Sequence, residues 1–351
     1  MLELDEVRVA IPGGGSGPST IKEVLLDYLT GTVGIVSLAD NGGHTNKIRT
    51  IFDIGATGDV ASQLAVHTRN NPFKRALFSF RNPGNHQRIG NDIVALARNL
   101  TGNMAEGIDY IVREILSPHF VGRVLPISND DRVHLRVVMK NGDVFIGEEI
   151  LDGIMASGNN TQIDHTEFVD KKGNPINPEP YRPALLSIEE SDVLIIPPGS
   201  WEGSLKAVLE VSGVSQALRS NNGKLVCFTN AVDIKGRHAS DYLMYLANMR
   251  GRKIDLAVIN RPNFELPETY KREHHYFVEP DAGKCGEYAN RVIVEPIAQE
   301  MSIDGKPTIR HNGARATLIL LDHLIETGVL NPGNGNQKAI DALREKVFAA
   351  A

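Results

Sequence analysis

The glycine-rich stretch IPGGGSGPST, residues 11 to 20, follows the apolar run VRVA and precedes IKEVLLDYL, as if a strand ran through glycines into a helix. Glycine there lets the backbone approach a ligand closely, and free amides at a helix start attract an anion, usually a phosphate. Gly13, Gly14, Gly15, Ser16 and Gly17 are therefore the first candidate binding residues. The stretch is not a Walker A loop, because no Gly-Lys-Ser/Thr follows to supply the lysine and the magnesium-binding hydroxyl. It is not a clean dinucleotide fingerprint either, since Pro18 stands where the third glycine belongs. A tight turn without ligand is the plain alternative. Asp40 ends the next apolar run roughly where an acid would hold a ribose, so an NAD enzyme stays open, although aspartate, asparagine and glycine also close turns unaided.

Asp59 in GATGDVASQL reads first as a helix N-cap. Joined with Asp40, it could instead hold magnesium or a substrate hydroxyl through oxygen atoms. PPGSWEGS puts Gly199 and Ser200 at another strand end before a helix, where amides and a hydroxyl could meet phosphate oxygens. Neither glycine stretch has the Gly-x-Ser-x-Gly of a nucleophile elbow. The histidines show no zinc spacing, and the neighbours His274 and His275 would point to opposite sides of an extended strand. Trp201 and Tyr270 could stack on a base, although aromatics more commonly pack in cores. Cys227 in KLVCFTN reads as core and Cys285 in AGKCGEY as a bystander loop thiol, with neither CxxC spacing nor a disulfide framework.

The elements that must carry these residues are legible as runs. VRVAIPGG, TVGIVSLADNGG, VLIIPPGS, KLVCFTN and DLAVINRP are nearly continuous apolar stretches ending at turn residues, the pattern of strands buried on both faces of a parallel sheet. Helical segments lie between them: STIKEVLLDYL, SWEGSLKAVLEVSG and ASDYLMYLANMRG. The alternation predicts an α/β class, a three-layer α/β/α Rossmann-like fold with a mostly parallel sheet and a ligand crevice at the strand ends. From about residue 58 to 120 the spacing turns helical, which predicts a helical insertion over the crevice. RVHLRVVMKNGDVFIGEEI is two runs around Asn-Gly, a β-hairpin signal. KKGNPINPEPYRP is a loop, and residues 331 to 351 read as a linker followed by the helix KAIDALREKVFA, leaving 1 to 330 as one domain.

A chain of 351 residues, 41% hydrophobic, can bury a core of that size. Its net charge of −6 argues against a generic nucleic-acid or membrane-surface partner. No apolar run approaches the ~20 residues that span a bilayer, and no basic, apolar leader opens the chain, so a cytoplasmic location is expected.

Taken in order over residues 7 to about 325, these motifs resemble the family shared by 2-phospho-L-lactate transferase and the gluconeogenesis factors, the CofD/YvcK or UPF0052 group. GGGSGPST resembles that family's GGTGLS, VSLADNGGHTNKIR its VTVADDGGSSGRLR, and ATGDVASQL its PPGDIRNCL. Gly90 and Asn91 match the GN that opens its GNLLLAAL helix, and SDVLIIPPGSWEGS mirrors ADLIVLGPGSLYTS. GRVLPIS, CFTN, DLAVINRP and the IRH at Ile309 to His311 complete the order.

The resemblance leans toward the gluconeogenesis-factor branch and implies a UDP-sugar-binding regulator of carbon or cell-wall metabolism that forms a homo-oligomer. The implied site places Gly13 to Gly17, Gly42, Gly43, Gly58, Gly199 and Ser200 around the ligand, with Asn91, Asn230 and Asn260 nearby. Tyr270 and Arg310 sit where that branch has a tyrosine and an arginine linked to nucleotide-sugar binding. The transferase branch implies moving a phospholactyl-type group from a nucleotide or phosphoenolpyruvate donor to a deazaflavin with magnesium. Asn41 here replaces the second aspartate of ADDGG, removing a possible metal carboxylate, and Thr57 replaces the proline before Gly58.

Overall fold

Val9, Ala10 and Ile11 are all buried, so their strand has no solvent face and belongs in the middle of a covered sheet. The computed structural model describes the chain except residues 40–41, 86, 131, 148–162, 234–235, 304, 332 and 350–351. Its strands are β1 (Val9–Pro12), β2 (Thr32–Val36), β3 (Arg123–Pro126), β4 (His134–Met139), β5 (Val144–Ile146), β6 (Ile163–Val169) and β7 (Val193–Ile196). They continue with β8 (Lys224–Phe228), β9 (Val232–Asp233), β10 (Ile254–Asn260), β11 (Tyr276–Phe277), β12 (Ala289–Glu295), β13 (Ala298–Ile303) and β14 (Lys306–His311). The helices are α1 (Ser16–Leu25), α2 (Gly43–Phe52), α3 (Gly58–His67), α4 (Pro72–Ser79), α5 (Ile89–Thr101), α6 (Met104–Ile111) and α7 (Arg182–Glu189). After them come α8 (Lys206–Leu209), α9 (Val214–Ser220), α10 (Ala239–Arg250), α11 (Glu268–Arg272), α12 (Ala282–Tyr288), α13 (Gly313–Glu326) and α14 (Asn334–Ala349).

The central sheet has seven strands in the order β12-β10-β8-β7-β1-β2-β3, and every pair is parallel. The chain starts in the middle, builds outward through β2 and β3, then returns to β7 on the other side of β1. This is the doubly wound Rossmann order, and its reversal falls between β1 and β7. Alternate residues sort onto two faces: Val193 and Ile195 join one core cluster, while Leu194 and Ile196 join the other. Helices α1, α13 and α14 cover the first face, and α7 to α10 with α12 cover the second. The insertion α3 to α6 extends the first layer over β2 and β3, through Val36 and Val124. No helix among the described residues is long and apolar enough to cross a membrane.

The hairpin around Asn141-Gly142 is present as β4 and β5, and β6 pairs antiparallel on the other side of β4. β6 has no sequence signal because IDHTEFV is mostly polar on its outer face. The last helix begins at Asn334, earlier than the sequence suggests. Asn336 anchors that turn by donating from Nδ2 to Glu3 Oε2 and the Asn331 carbonyl, 2.8 and 2.9 Å, and Ile340 and Leu343 enter the core. Cys285 is not a loop thiol: it lies buried in α12, donates to Asp281 Oδ1 at 3.4 Å, and burial pushes it up to about 12. His274 and His275 lie in the turn before β11 rather than on a strand.

Candidate functional site

At the end of β1 the chain turns through glycines because two constraints leave no room for anything else. Gly13 and Gly15 have φ of 104° and 75°, left-handed values that a side chain resists. Gly14 is held by proximity: a Cβ there would lie 1.9 Å from Asp59 Oδ2. The Gly13 amide donates to the Ile35 carbonyl at 2.8 Å, tying the turn to β2. Gly15 is the N-cap of α1 and offers no side chain to its first amides, which Ser16 and Gly17 carry. Gly42 likewise precedes α2 and Gly43 opens it, again without a side-chain cap. Asp40 and Asn41 lie outside the described residues.

Asp59 is not the N-cap of α3. The helix starts at Gly58, Thr57 occupies the cap position, and its carbonyl accepts the first helical bond from Ala61. Asp59 stands one residue inside, 6% exposed, with its carboxylate against the glycine turn. Two cations face it electrostatically, Lys22 from α1 and Arg88 from the start of α5. Neither was legible in the sequence.

Lys22 is fully buried, and its Nζ donates to Gln63 Oε1 at 2.6 Å. Burial pushes its amine down to about 7, against the pull of Asp59. Gly34 on β2 leaves the space: a Cβ there would sit 3.1 Å from Lys22 Nζ and Gln63 Oε1 and 3.2 Å from His67 Nε2. His67 donates through Nδ1 to the Val121 carbonyl at 2.7 Å, which fixes the neutral tautomer, and burial pushes the ring down to about 3.

Arg88 donates through Nη1 to the Gly58 carbonyl at 3.1 Å and to Ser62 Oγ at 2.6 Å, and burial lowers it to about 10. Its own amide donates to His44 Nδ1 at 3.1 Å. Asn91, 3% exposed, reaches Thr45 Oγ1 at 3.4 Å. The starts of α2, α3 and α5 therefore meet at one place.

Across the sheet reversal lies the loop after β7. Asn230, at the end of β8, accepts from the Gly199 amide and donates to the Gly199 carbonyl, both at 2.8 Å. Its amide thus clamps the backbone. Ser200 Oγ accepts from the Gly203 amide at 3.2 Å, and the Ser204 and Leu205 amides both reach the Ser200 carbonyl, making the first turn, Trp201–Leu205, wider than an α-helix. Trp201 is no platform for a base: it packs edge-on against Tyr242 and Tyr245, at 4.7 and 5.4 Å. Asn260 accepts from the Ile297 and Ala298 amides at 3.1 and 2.9 Å, fixing the corner after β12.

Tyr270 and Arg310 meet around one residue. Tyr270 Oη accepts from the Ile309 amide at 3.1 Å, and Arg310 Nη1 donates to the Ile309 carbonyl at 2.9 Å. Their strand β14 packs against α1, which connects this pair to the helix that the glycine turn starts.

The fold defines a Rossmann-type α/β protein in which the glycine turn and the clamped loop follow the adjacent parallel strands β1 and β7 at the sheet reversal. The chain belongs to the CofD family, whose profile, described as 2-phospho-L-lactate transferase CofD, matches residues 9–298. It is 28% identical over 328 residues to a putative gluconeogenesis factor of Thermotoga maritima, spanning 88% of this chain and 96% of that one. It is 26% identical to the gluconeogenesis factor of Halalkalibacterium halodurans, with 90% and 96% covered. A crystal structure of a UPF0052-family protein from Bacillus halodurans gives a TM-score of 0.76 at 25% identity, covering 90% of this chain and 100% of that one.

Proposed function

We propose that this protein binds a nucleoside-diphosphate-linked ligand, a UDP-sugar by resemblance to the gluconeogenesis-factor branch, and that its output is regulatory. The observation that carries this reading is the start of α1: left-handed glycines, amides without a side-chain cap, and a place beside the sheet reversal. Such amides suit a phosphate, and ligands of doubly wound folds bind at such reversals. Gly13 to Gly17 would hold the phosphates, Gly199 and Ser200 would close the crevice, and Tyr270 with Arg310 would meet the nucleoside end. The same reading takes the protein as a homo-oligomer.

Thermal unfolding with UDP-N-acetylglucosamine, GDP, NAD and phosphoenolpyruvate tests it. A ligand at 100 times its Kd adds about 2.7 kcal/mol to the native state. UDP-N-acetylglucosamine should stabilise the protein, and stabilisation by NAD alone would contradict the reading.

The family profile supports a second reading, transfer of a phospholactyl-type group to a deazaflavin acceptor. Magnesium would then fall to Asp59 and Asp40. Asp59 is buried against the glycine turn with the Arg88 cation facing it, so its charge is offset without an ion, which does not fit a dedicated divalent site. Calorimetric titration with magnesium and with EDTA separates the two readings: a tenfold loss of nucleotide affinity in EDTA would favour the transferase.

A further inference from the structure

Beside the glycine turn the structure gathers positive charge that the phosphates of the proposed ligand do not use. Arg81 and Arg88 stand directly opposite one another in an antiparallel bridge, which puts both side chains on the same side. Like charges so placed repel. Lys47, on α2, adds a third cation: burial lowers the proton affinity of His44, and the charges of Lys47, Arg81 and Arg88 lower it further. Among the described residues neither Arg81 nor Lys47 forms an ion pair with an acid, and Arg88 Nε is buried without a hydrogen-bond partner. Among the described residues the nearby acids are Asp59, which attracts Arg88, and Asp92, an exposed residue 3.9 Å from His44 Nε2.

The backbone adds to the same field. The N-caps of α2, α3 and α5 are Gly42, Thr57 and Arg88, and none makes a side-chain cap bond. Their positive dipole ends converge where Arg88 bonds the Gly58 carbonyl and the Arg88 amide bonds His44. Asn91 lies in the first turn of α5, nine-tenths buried and more, with one end of its amide lacking a partner among the described residues. Turned about its last bond, that amide would accept from Thr45 and keep an NH2 for a ligand.

We propose that the crevice holds a second anion subsite, formed by Arg88, Arg81, Lys47 and His44 at the starts of α2, α3 and α5, which takes an acidic group on the distal part of the ligand. This rests on the nucleotide reading and narrows it: the ligand class is a nucleoside diphosphate joined to an acid-bearing sugar. One carboxylate set among these donors makes charge-assisted hydrogen bonds, enough for about a tenfold gain in affinity.

UDP-glucuronate and UDP-glucose test this, since they differ by one carboxylate on the sugar. Calorimetry on the full chain should show UDP-glucuronate binding about tenfold more tightly than UDP-glucose. Arg81→Ala and Lys47→Ala, both at exposed side chains, should collapse that ratio toward one. The pair avoids the half-buried Arg88, whose loss would remove its bonds to Gly58 and Ser62 at the start of α3. Equal affinity of the wild type for the two ligands overturns the subsite and spares the nucleotide reading. A preference that survives in the Arg81→Ala, Lys47→Ala double variant overturns the residue assignment. If UDP, UDP-glucose and UDP-glucuronate all fail to bind, the nucleotide reading falls and the subsite with it.

Discussion

The two ends of the helical insertion are finished differently. At the far end Asn71 caps α4 by accepting from the Lys74 amide at 3.0 Å, and Asn103 caps α6 by accepting from Glu106 at 2.9 Å. At the crevice end α3 and α5 start without any side-chain cap, as do α1 and α2 beside them. There the chain buries Lys22, Asp59 and part of Arg88 instead of apolar groups. One end satisfies its own amides; the other leaves them facing a crevice and surrounds them with charge. Natural chains break local rules of capping and burial mainly where a site needs it.

The largest effect expected from this contrast is on pH dependence. Below pH 7 the folded Lys22 carries its charge at full burial cost. Between pH 7 and its ordinary value of 10.5 the folded amine has released its proton while the unfolded one keeps it. The unfolded state then binds more protons, so stability rises with pH through that window, by at most about 1.4 kcal/mol per unit. Denaturant unfolding of the wild type from pH 7 to 10 should show that rise, and Lys22→Met should remove it. An unchanged slope in the variant would mean that Lys22 keeps its charge when folded.

Gly14→Ala is next. Its Cβ would have to displace the Asp59 carboxylate or move the turn, and overpacking of that kind costs about 1–3 kcal/mol. Nucleotide affinity should fall with it. A variant with native stability and native affinity would show that the turn and α3 are not held together as described.

Smaller effects sharpen the comparison between the two ends directly. Asn71→Ala and Asn103→Ala should each cost about 1 kcal/mol, the usual loss on removing a helix cap. Thr57→Val at the crevice end should cost nearly nothing, because the buried Thr57 hydroxyl has no partner among the described residues. Equal losses at both ends, measured by urea unfolding, would erase the distinction.

The sequence carries the sheet well because a strand covered on both faces must be apolar throughout, and VLII and KLVCF are. It carries the glycine turn for a different reason: no other residue tolerates those backbone angles. What it hides are contacts between residues far apart in the chain. Lys22 and Gln63, 41 positions apart, meet in the space left by Gly34, which has no side chain. Arg88 looks like an ordinary surface cation until the loop before α5 folds onto Gly58. Asp59, which the sequence suggests as the cap, lies two positions past it, since Thr57 holds the cap through its backbone and leaves no side-chain signature. Asn230 was legible as a strand-end polar residue, yet its amide holds Gly199 and not open space.

The central claim is that a nucleotide's phosphates sit on the start of α1 across from the Gly199 loop. Amide hydrogen exchange with and without saturating UDP measures it where it matters. Protection should rise together in residues 13 to 19 and 199 to 203, with little change at the Asn-capped starts of α4 and α6. Binding of UDP with no added protection in the glycine turn, or with protection confined to a distant surface, would contradict it.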